Sequence, residues 1–133
     1  MKVTKYEHAC LVVEDQGKRL VIDPGIYAKS LTDYTNVVAA VVTHSHHDHF
    51  DIEHIKAILQ ANADAKVFTT QAVAEQLANQ QGSVTVVHTG ESQQAGPFTL
   101  NFTGGKHAFI HGETPQEDNV GVVVNNSLYY PGD

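Results

Sequence analysis

Four of the nine histidines fall between Thr43 and Phe50, and with Asp48 they form the run His44-Ser45-His46-His47-Asp48-His49, an H-x-H-x-D-H pattern. Neutral imidazole nitrogens and a carboxylate are the donors that a borderline divalent cation such as zinc prefers. Alternate side chains of an extended segment project to one side. His44 and His46 can therefore share one ion, while Asp48 and His49, at the turn into a following helix, can face a second from the opposite wall. The chemistry on offer is metal-assisted, with one or two divalent ions; Zn2+ suits the donors best, and Mn2+ and Fe2+ are compatible. No glutamate separates a pair of histidines four apart, which excludes a helical H-E-x-x-H site. The single cysteine, Cys10, cannot build a thiolate site or an intrachain disulfide.

The elements that must position this run are legible around it. Val3 to Tyr6, Cys10 to Glu14 and Arg19 to Ile22 read as strands, the last two joined at Asp15-Gln16-Gly17 as a hairpin. Asp23-Pro24-Gly25 ends the third, because proline cannot donate to a ladder. Ala39 to Val42 is an apolar, β-branched run of the kind buried on both faces, and it delivers Thr43 and His44 at its C-terminal end. Asp51 can cap a helix through about Ala61, with Ile52, Ile55, Ile58 and Leu59 as an apolar stripe. Val67 to Thr69 is a strand, Thr70 to Gln80 a second helix ending near Gly82. Strands follow at Val84 to Val87, Phe98 to Thr103, Val120 to Val124 and Leu128 to Tyr130. A β-rich start, two βα steps and further strands make a mixed α/β layer fold.

Composition bounds the function classes. The chain has 133 residues, enough for one domain, with 8 Lys and Arg against 15 Asp and Glu, a formal charge of −7. Nothing in this balance exchanges for the counterions of a nucleic acid, so strong nucleic-acid binding is not expected. Val37 to Val42 is the longest wholly apolar run, far short of a membrane span. With no signal-type stretch at the start and no disulfide framework, the expectation is a soluble, cytoplasmic protein acting on a small molecule.

With its flanks, the H-x-H-x-D-H run resembles the metallo-β-lactamase fold superfamily, whose pattern continues to a later histidine, an aspartate and a final histidine. Val21-Ile22-Asp23-Pro24, Gly104-Gly105-Lys106-His107-Ala108 and Tyr130-Pro131-Gly132-Asp133 look like the UlaG-like branch of metal-dependent hydrolases. The resemblance implies His44, His46 and His107 on a first metal, Asp48 and His49 on a second, and Asp133 bridging them. It also implies that Asp23 orients the motif loop, although an aspartate before proline can simply cap a turn. His107 and His111 both follow the Phe98 to Thr103 strand; the family segment favours His107 and leaves His111 beside the ligands or facing substrate. His8 reads as a strand-end histidine, and His47, His54 and His88 as solvated ones. Tyr129 and Tyr130 carry no expected chemistry.

The same resemblance implies a four-layer αββα sandwich of two similar halves, of which residues 1–133 supply roughly the first, with a mixed sheet and two helices. The last histidine ligand is then missing, Asp133 lies on a fraying end, and the chain alone is a weak or inactive enzyme. An apolar sheet face built from segments such as Ala39 to Val42 would be left open, to be covered by a second copy or by the other half. The implied activity is hydrolysis of an ester, lactone, amide or phosphodiester, with Asp48 or Asp133 accepting a proton. Two alternatives stand beside it: a non-catalytic metal-binding or self-associating half-domain, and a di-iron oxidoreductase, against which His46 argues because the flavodiiron relatives carry glutamate there.

Overall fold

A computed structural model describes all residues, 1–133. The elements in chain order are β1 (Lys2–Lys5), β2 (Leu11–Asp15), β3 (Lys18–Ile22), β4 (Val37–Val42), α1 (Ile52–Ala61), β5 (Lys66–Thr69), α2 (Gln71–Gln76), β6 (Ser83–Val86), β7 (Ser92–Ala95), β8 (Phe98–Lys106), β9 (Asp118–Val124) and β10 (Leu128–Tyr130). Two sheets form. One has six strands in the order β1-β2-β3-β4-β5-β6, antiparallel over its first three strands and parallel from β3 onward; the other has four antiparallel strands in the order β10-β9-β8-β7.

Alternation along β4 explains the layering. Ala40 and Val42 face the helices, packing with Ile55 and Ile58 of α1 and with Val73 and Leu77 at α2. Ala39 and Val41 face the second sheet and pack with Phe98, Leu100 and Phe102 of β8 and Val120, Val122 and Val124 of β9. The chain is thus a helix–sheet–sheet stack in which both faces of β4 are covered. This corrects the expectation of an open apolar sheet face: a second sheet from the same chain closes it, and that argument for a covering partner is gone.

Local chemistry sets the helices. Asp51 caps α1 by accepting from Glu53 N at 3.0 Å, worth about 1 kcal/mol. At the other end the Asn62 amide donates to Ile58 O and Tyr34 O and its oxygen accepts from Val37 N. α2 is shorter than predicted, because Leu77 is its last buried residue and beyond it the backbone tightens into i→i+3 bonds, Ala78 N to Glu75 O and Gln80 N to Leu77 O. A polar run with no face to bury does not hold a helix. β7 was not predicted from Ser-Gln-Gln-Ala; its pairing with β8 across a two-residue turn makes it a strand. No helix is long and apolar enough to cross a membrane.

Candidate metal centre

The centre lies past the C-terminal ends of β3 and β4, where open parallel strands place their ligands. Asp23 follows β3 with φ +48° and is fully buried. Its Oδ1 accepts from Thr43 N at 2.7 Å, and its Oδ2 accepts from Thr43 Oγ1 at 2.7 Å and from His49 Nδ1 at 2.6 Å. The single Thr43 hydroxyl proton is spent on Asp23, so Thr43 Oγ1 accepts from His44 Nδ1 at 2.9 Å. One carboxylate therefore sets the tautomer of two histidines, leaving a lone pair on Nε2 of each. Gly25 holds the loop from below: a Cβ there would stand 2.0 Å from Asp48 O. Backbone bonds from Ile26 N to His47 O and from Asp51 N to Pro24 O tie the two segments together.

His107 enters from the end of β8. Its Nδ1 donates to Ala108 O at 2.7 Å, so its Nε2 also carries a lone pair. The rings of His44, His46 and His107 stand 4.8–4.9 Å apart in mutually edge-on pairs, and their ligand atoms all lie within 4.8 Å of one another. Nε2 of His44 and Nε2 of His107 are buried with no hydrogen-bond partner. Buried lone pairs converging on a point without a donor are costly unless a cation sits there, so the residues fit a divalent ion. Burial first, and then the neighbouring His49 and His46, push the His44 pKa down to about 4, with Asp133 opposing. His44 is thus an uncharged ligand at neutral pH.

A second group adjoins the first. His49 Nε2 faces Asp48 Oδ2 at 3.6 Å and Asp133 Oδ1 at 3.2 Å, while Asp133 Oδ2 faces His107 Nε2 at 3.6 Å. Two donors each about 2.0–2.1 Å from a tetrahedral zinc lie about 3.3–3.4 Å apart, so these separations suit donors that share an ion. Asp133 spans both groups with one oxygen toward each. Burial pulls the His49 pKa down, but the Asp23 hydrogen bond and the Asp23, Asp133 and Asp48 charges outweigh it, and the net shift is upward. For Asp48, burial acts upward and is outweighed by the His8 hydrogen bond and His49, giving a lowered pKa.

The structure brings His44, His46, Asp48, His49, His107, Asp133 and Asp23 together. It leaves His111 exposed and outside both groups. Asp133 is not fraying: its N donates to Asn119 Oδ1 at 3.0 Å and its carbonyl accepts from Ala108 N at 2.7 Å. Gly132, at φ +71°, lies so close to Asn119 and Thr43 that a Cβ would stand 2.3 Å from Asn119 Oδ1. His54 is not solvated either; it is half-buried, with Nδ1 2.9 Å from the Tyr34 hydroxyl. Two participants were missed. His8 Nε2 stands 2.7 Å from Asp48 Oδ2. Glu117 accepts from Ser45 Oγ at 2.6 Å and lies 3.4 Å from His46 Nε2. Glu117 carries no local sequence signal, whereas the Glu7-His8-Ala9 opening was visible but without an assigned role.

The family model described as "Beta-lactamase superfamily domain" matches residues 2–133. The chain belongs to this family. Protein Rv0786c of Mycobacterium tuberculosis is 32% identical over 138 residues, an alignment covering 100% of this chain and 64% of that protein. A UPF0173 metal-dependent hydrolase of Metallosphaera sedula is 30% identical over 138 residues, covering 95% of this chain and 58% of its own. Among solved structures, Igni18, a metallo hydrolase from Ignicoccus hospitalis, superposes with a TM-score of 0.71 at 20% identity over 98% of this chain and 60% of its own, a likeness of fold. The fold is the metallo-β-lactamase fold, and the chain spans 53–64% of the length of the curated relatives it matches.

Proposed function

We propose that this chain carries the metal centre of a hydrolase of the UlaG-like kind, acting on a small molecule with an ester, lactone, amide or phosphodiester bond. The observation that carries the reading is the pair of adjoining donor groups, with two buried, unpartnered Nε2 atoms and Asp133 spanning both. His44, His46 and His107 would hold one divalent ion, and Asp48 and His49 a second, with Asp133 between them; zinc suits the nitrogen-rich first group best. Such ions supply Lewis-acid polarisation of the scissile group and water acidic enough to attack at neutral pH.

The chain's own residues do the rest. Asp23 and Thr43 hold His49 and His44 in the tautomers that present Nε2. Asp48, ionised and partly exposed, is the carboxylate placed to accept a proton during attack. Exposed Ile26 lies beside His47 and exposed Tyr27 beside His8, and exposed Phe109 and Ile110 lie beside His46 and His107. These apolar flanks suit a substrate with a hydrocarbon portion, and the charge of −7 disfavours a polyanion.

The test is metal content by mass spectrometry beside turnover of p-nitrophenyl esters, N-acyl lactones, an amide and a phosphodiester, with zinc or manganese added. Turnover that His107→Ala abolishes together with a bound equivalent of metal supports the reading. Metal bound without hydrolysis of any substrate, in this chain and in a longer form, would instead establish the non-catalytic metal-binding alternative.

A further inference from the structure

We propose that His8 is a ligand of the second cation, completing a four-donor set with Asp48, His49 and Asp133. The inference rests on the two-cation reading above and adds to it a residue from the opposite end of the chain.

The placement of His8 is built. The turn between β1 and β2 closes through Tyr6 N to Cys10 O at 2.9 Å. The Lys5 ammonium donates to the carbonyls of Tyr6 and His8, and the Tyr130 hydroxyl donates to Ala9 O at 2.9 Å. The Glu7 carboxylate accepts from the backbone N and the hydroxyl of Ser30. At the head of this turn His8 sits at φ +55°, a left-handed conformation that glycine or asparagine would adopt more easily than a residue with a full side chain. A histidine there, with its ring 5.3 Å from that of Tyr27 and edge-on to that of His49 at 5.9 Å, is directed at Asp48.

The atoms it meets can hold a cation. His49 donates its Nδ1 proton to Asp23, so the uncharged ring presents an Nε2 lone pair beside Asp48 Oδ2 and Asp133 Oδ1, oxygens that suit a cation as well as they suit a proton. The oxygen that faces His49 is the same Asp48 Oδ2 that His8 Nε2 approaches at 2.7 Å, and the ligand atoms of His8, Asp48 and His49 all lie within 4.8 Å of one another. A proton on His8 Nε2 satisfies only one of these acceptors. An ion satisfies all of them, once the His8 proton has moved to Nδ1 and Nε2 has opened from hydrogen-bond distance to the about 3.3 Å separation of two donors on one tetrahedral ion. Partial exposure of His8 leaves room for that movement. Within residues 1–133 the group holds one imidazole and two carboxylates without His8, and two nitrogens and two oxygens with it.

The experiment counts zinc on the intact chain, by mass spectrometry after equilibrium dialysis across a range of free zinc, and follows imidazole nitrogens by long-range 1H–15N correlation. Variants are His8→Asn and His8→Gly, which keep the left-handed turn but do not reach Asp48, with His107→Ala as the control for the first group and circular dichroism as the check on folding. The expected result is two equivalents in the parent chain. Each His8 variant should keep the first equivalent and bind the second about tenfold or more weaker, and the parent's His8 Nε2 resonance should shift as the second equivalent binds. Unchanged second-equivalent affinity in both variants, with His8 nitrogens unmoved by zinc, overturns the assignment. A parent chain that binds a single equivalent, lost in His107→Ala, overturns it as well but leaves the first site standing. A chain that binds no zinc overturns the functional reading itself and this inference with it.

Discussion

Asp23→Asn changes no volume and removes one charge, yet it should disturb both halves of the centre. The carboxylate accepts three hydrogen bonds, at 2.7, 2.7 and 2.6 Å, in a fully buried position. An amide keeps one oxygen, which can still accept from Thr43 N, and turns its two N–H donors toward Thr43 Oγ1 and His49 Nδ1. His49 must then move its proton to Nε2, where it faces Asp48 and Asp133 and no longer offers a lone pair to an ion. Thr43 Oγ1, now an acceptor for the amide, turns its own proton on His44 and presses that ring toward the other tautomer. Hydrogen bonds to a charged group contribute about 1.5–3 kcal/mol each. One bond is retained and two are reversed, and all three now involve an uncharged amide at a loss of about 1 kcal/mol each, so a net destabilisation of about 3 kcal/mol is expected. With an unfolding entropy near 2.1 cal/mol/K per residue, about 0.28 kcal/mol/K for this length, the melting temperature of the metal-free chain should fall by about 10 °C. Zinc affinity should fall about 10- to 100-fold, the usual consequence of losing a group that orients a ligand. Scanning calorimetry without metal, zinc titration calorimetry and the 15N shifts of His49 measure the three effects separately. A metal-free variant melting within about 2 °C of the parent, with His49 still protonated on Nδ1, would refute the tautomer argument.

Gly25→Ala should destabilise by about 3 kcal/mol through a clash with the Asp48 backbone that no rotamer relieves; a denaturant midpoint within experimental error of the parent would contradict that packing. Cys10 is fully buried, and burial together with the Asp23 charge pushes its thiol up to about 12. It should react with Ellman's reagent at pH 8 only as fast as the chain opens, so labelling within the mixing time would be evidence against the placement. Burial beside Tyr34 lowers the His54 pKa below its ordinary 6.5, with Asp51 opposing. The unfolded chain then binds the extra proton first, so the His54 contribution to stability is full above about pH 6.5 and is lost as pH falls through the lowered folded value. Proton NMR titration of the ring checks it, and a His54 midpoint at or above 6.5 would contradict the burial argument.

Most of the fold was legible because its signals are local. Six consecutive apolar residues at Val37 to Val42 announce a strand buried on both sides, and Asp51 ahead of the Ile55 and Ile58 stripe announces a capped helix. The H-x-H-x-D-H run was legible for the same reason: four donors within six residues state their chemistry wherever the chain goes. The choice of His107 over His111 followed from its place nearest the end of the Phe98 to Thr103 strand and from the family segment, since both histidines sit in one short loop. Tertiary structure decided what depends on distant segments meeting. β7 is a strand because β8 pairs with it, whatever its own residues prefer. Ala39 and Val41 are covered because β8 and β9 fold over them, which sequence-based reasoning had left open to a partner. Asp133 is held by Asn119 and Ala108, partners that its place at the end of the chain does not suggest. His8 and Glu117 reach the centre only because a strained turn and a returning loop bring them there. A sequence can state which side chains are able to bind an ion, but the convergence of donors from β1–β2, β4–α1, β8–β9 and the segment after β10 is a property of two sheets stacked face to face. Burial of apolar side chains drives that stacking, and it acts without regard to separation along the chain.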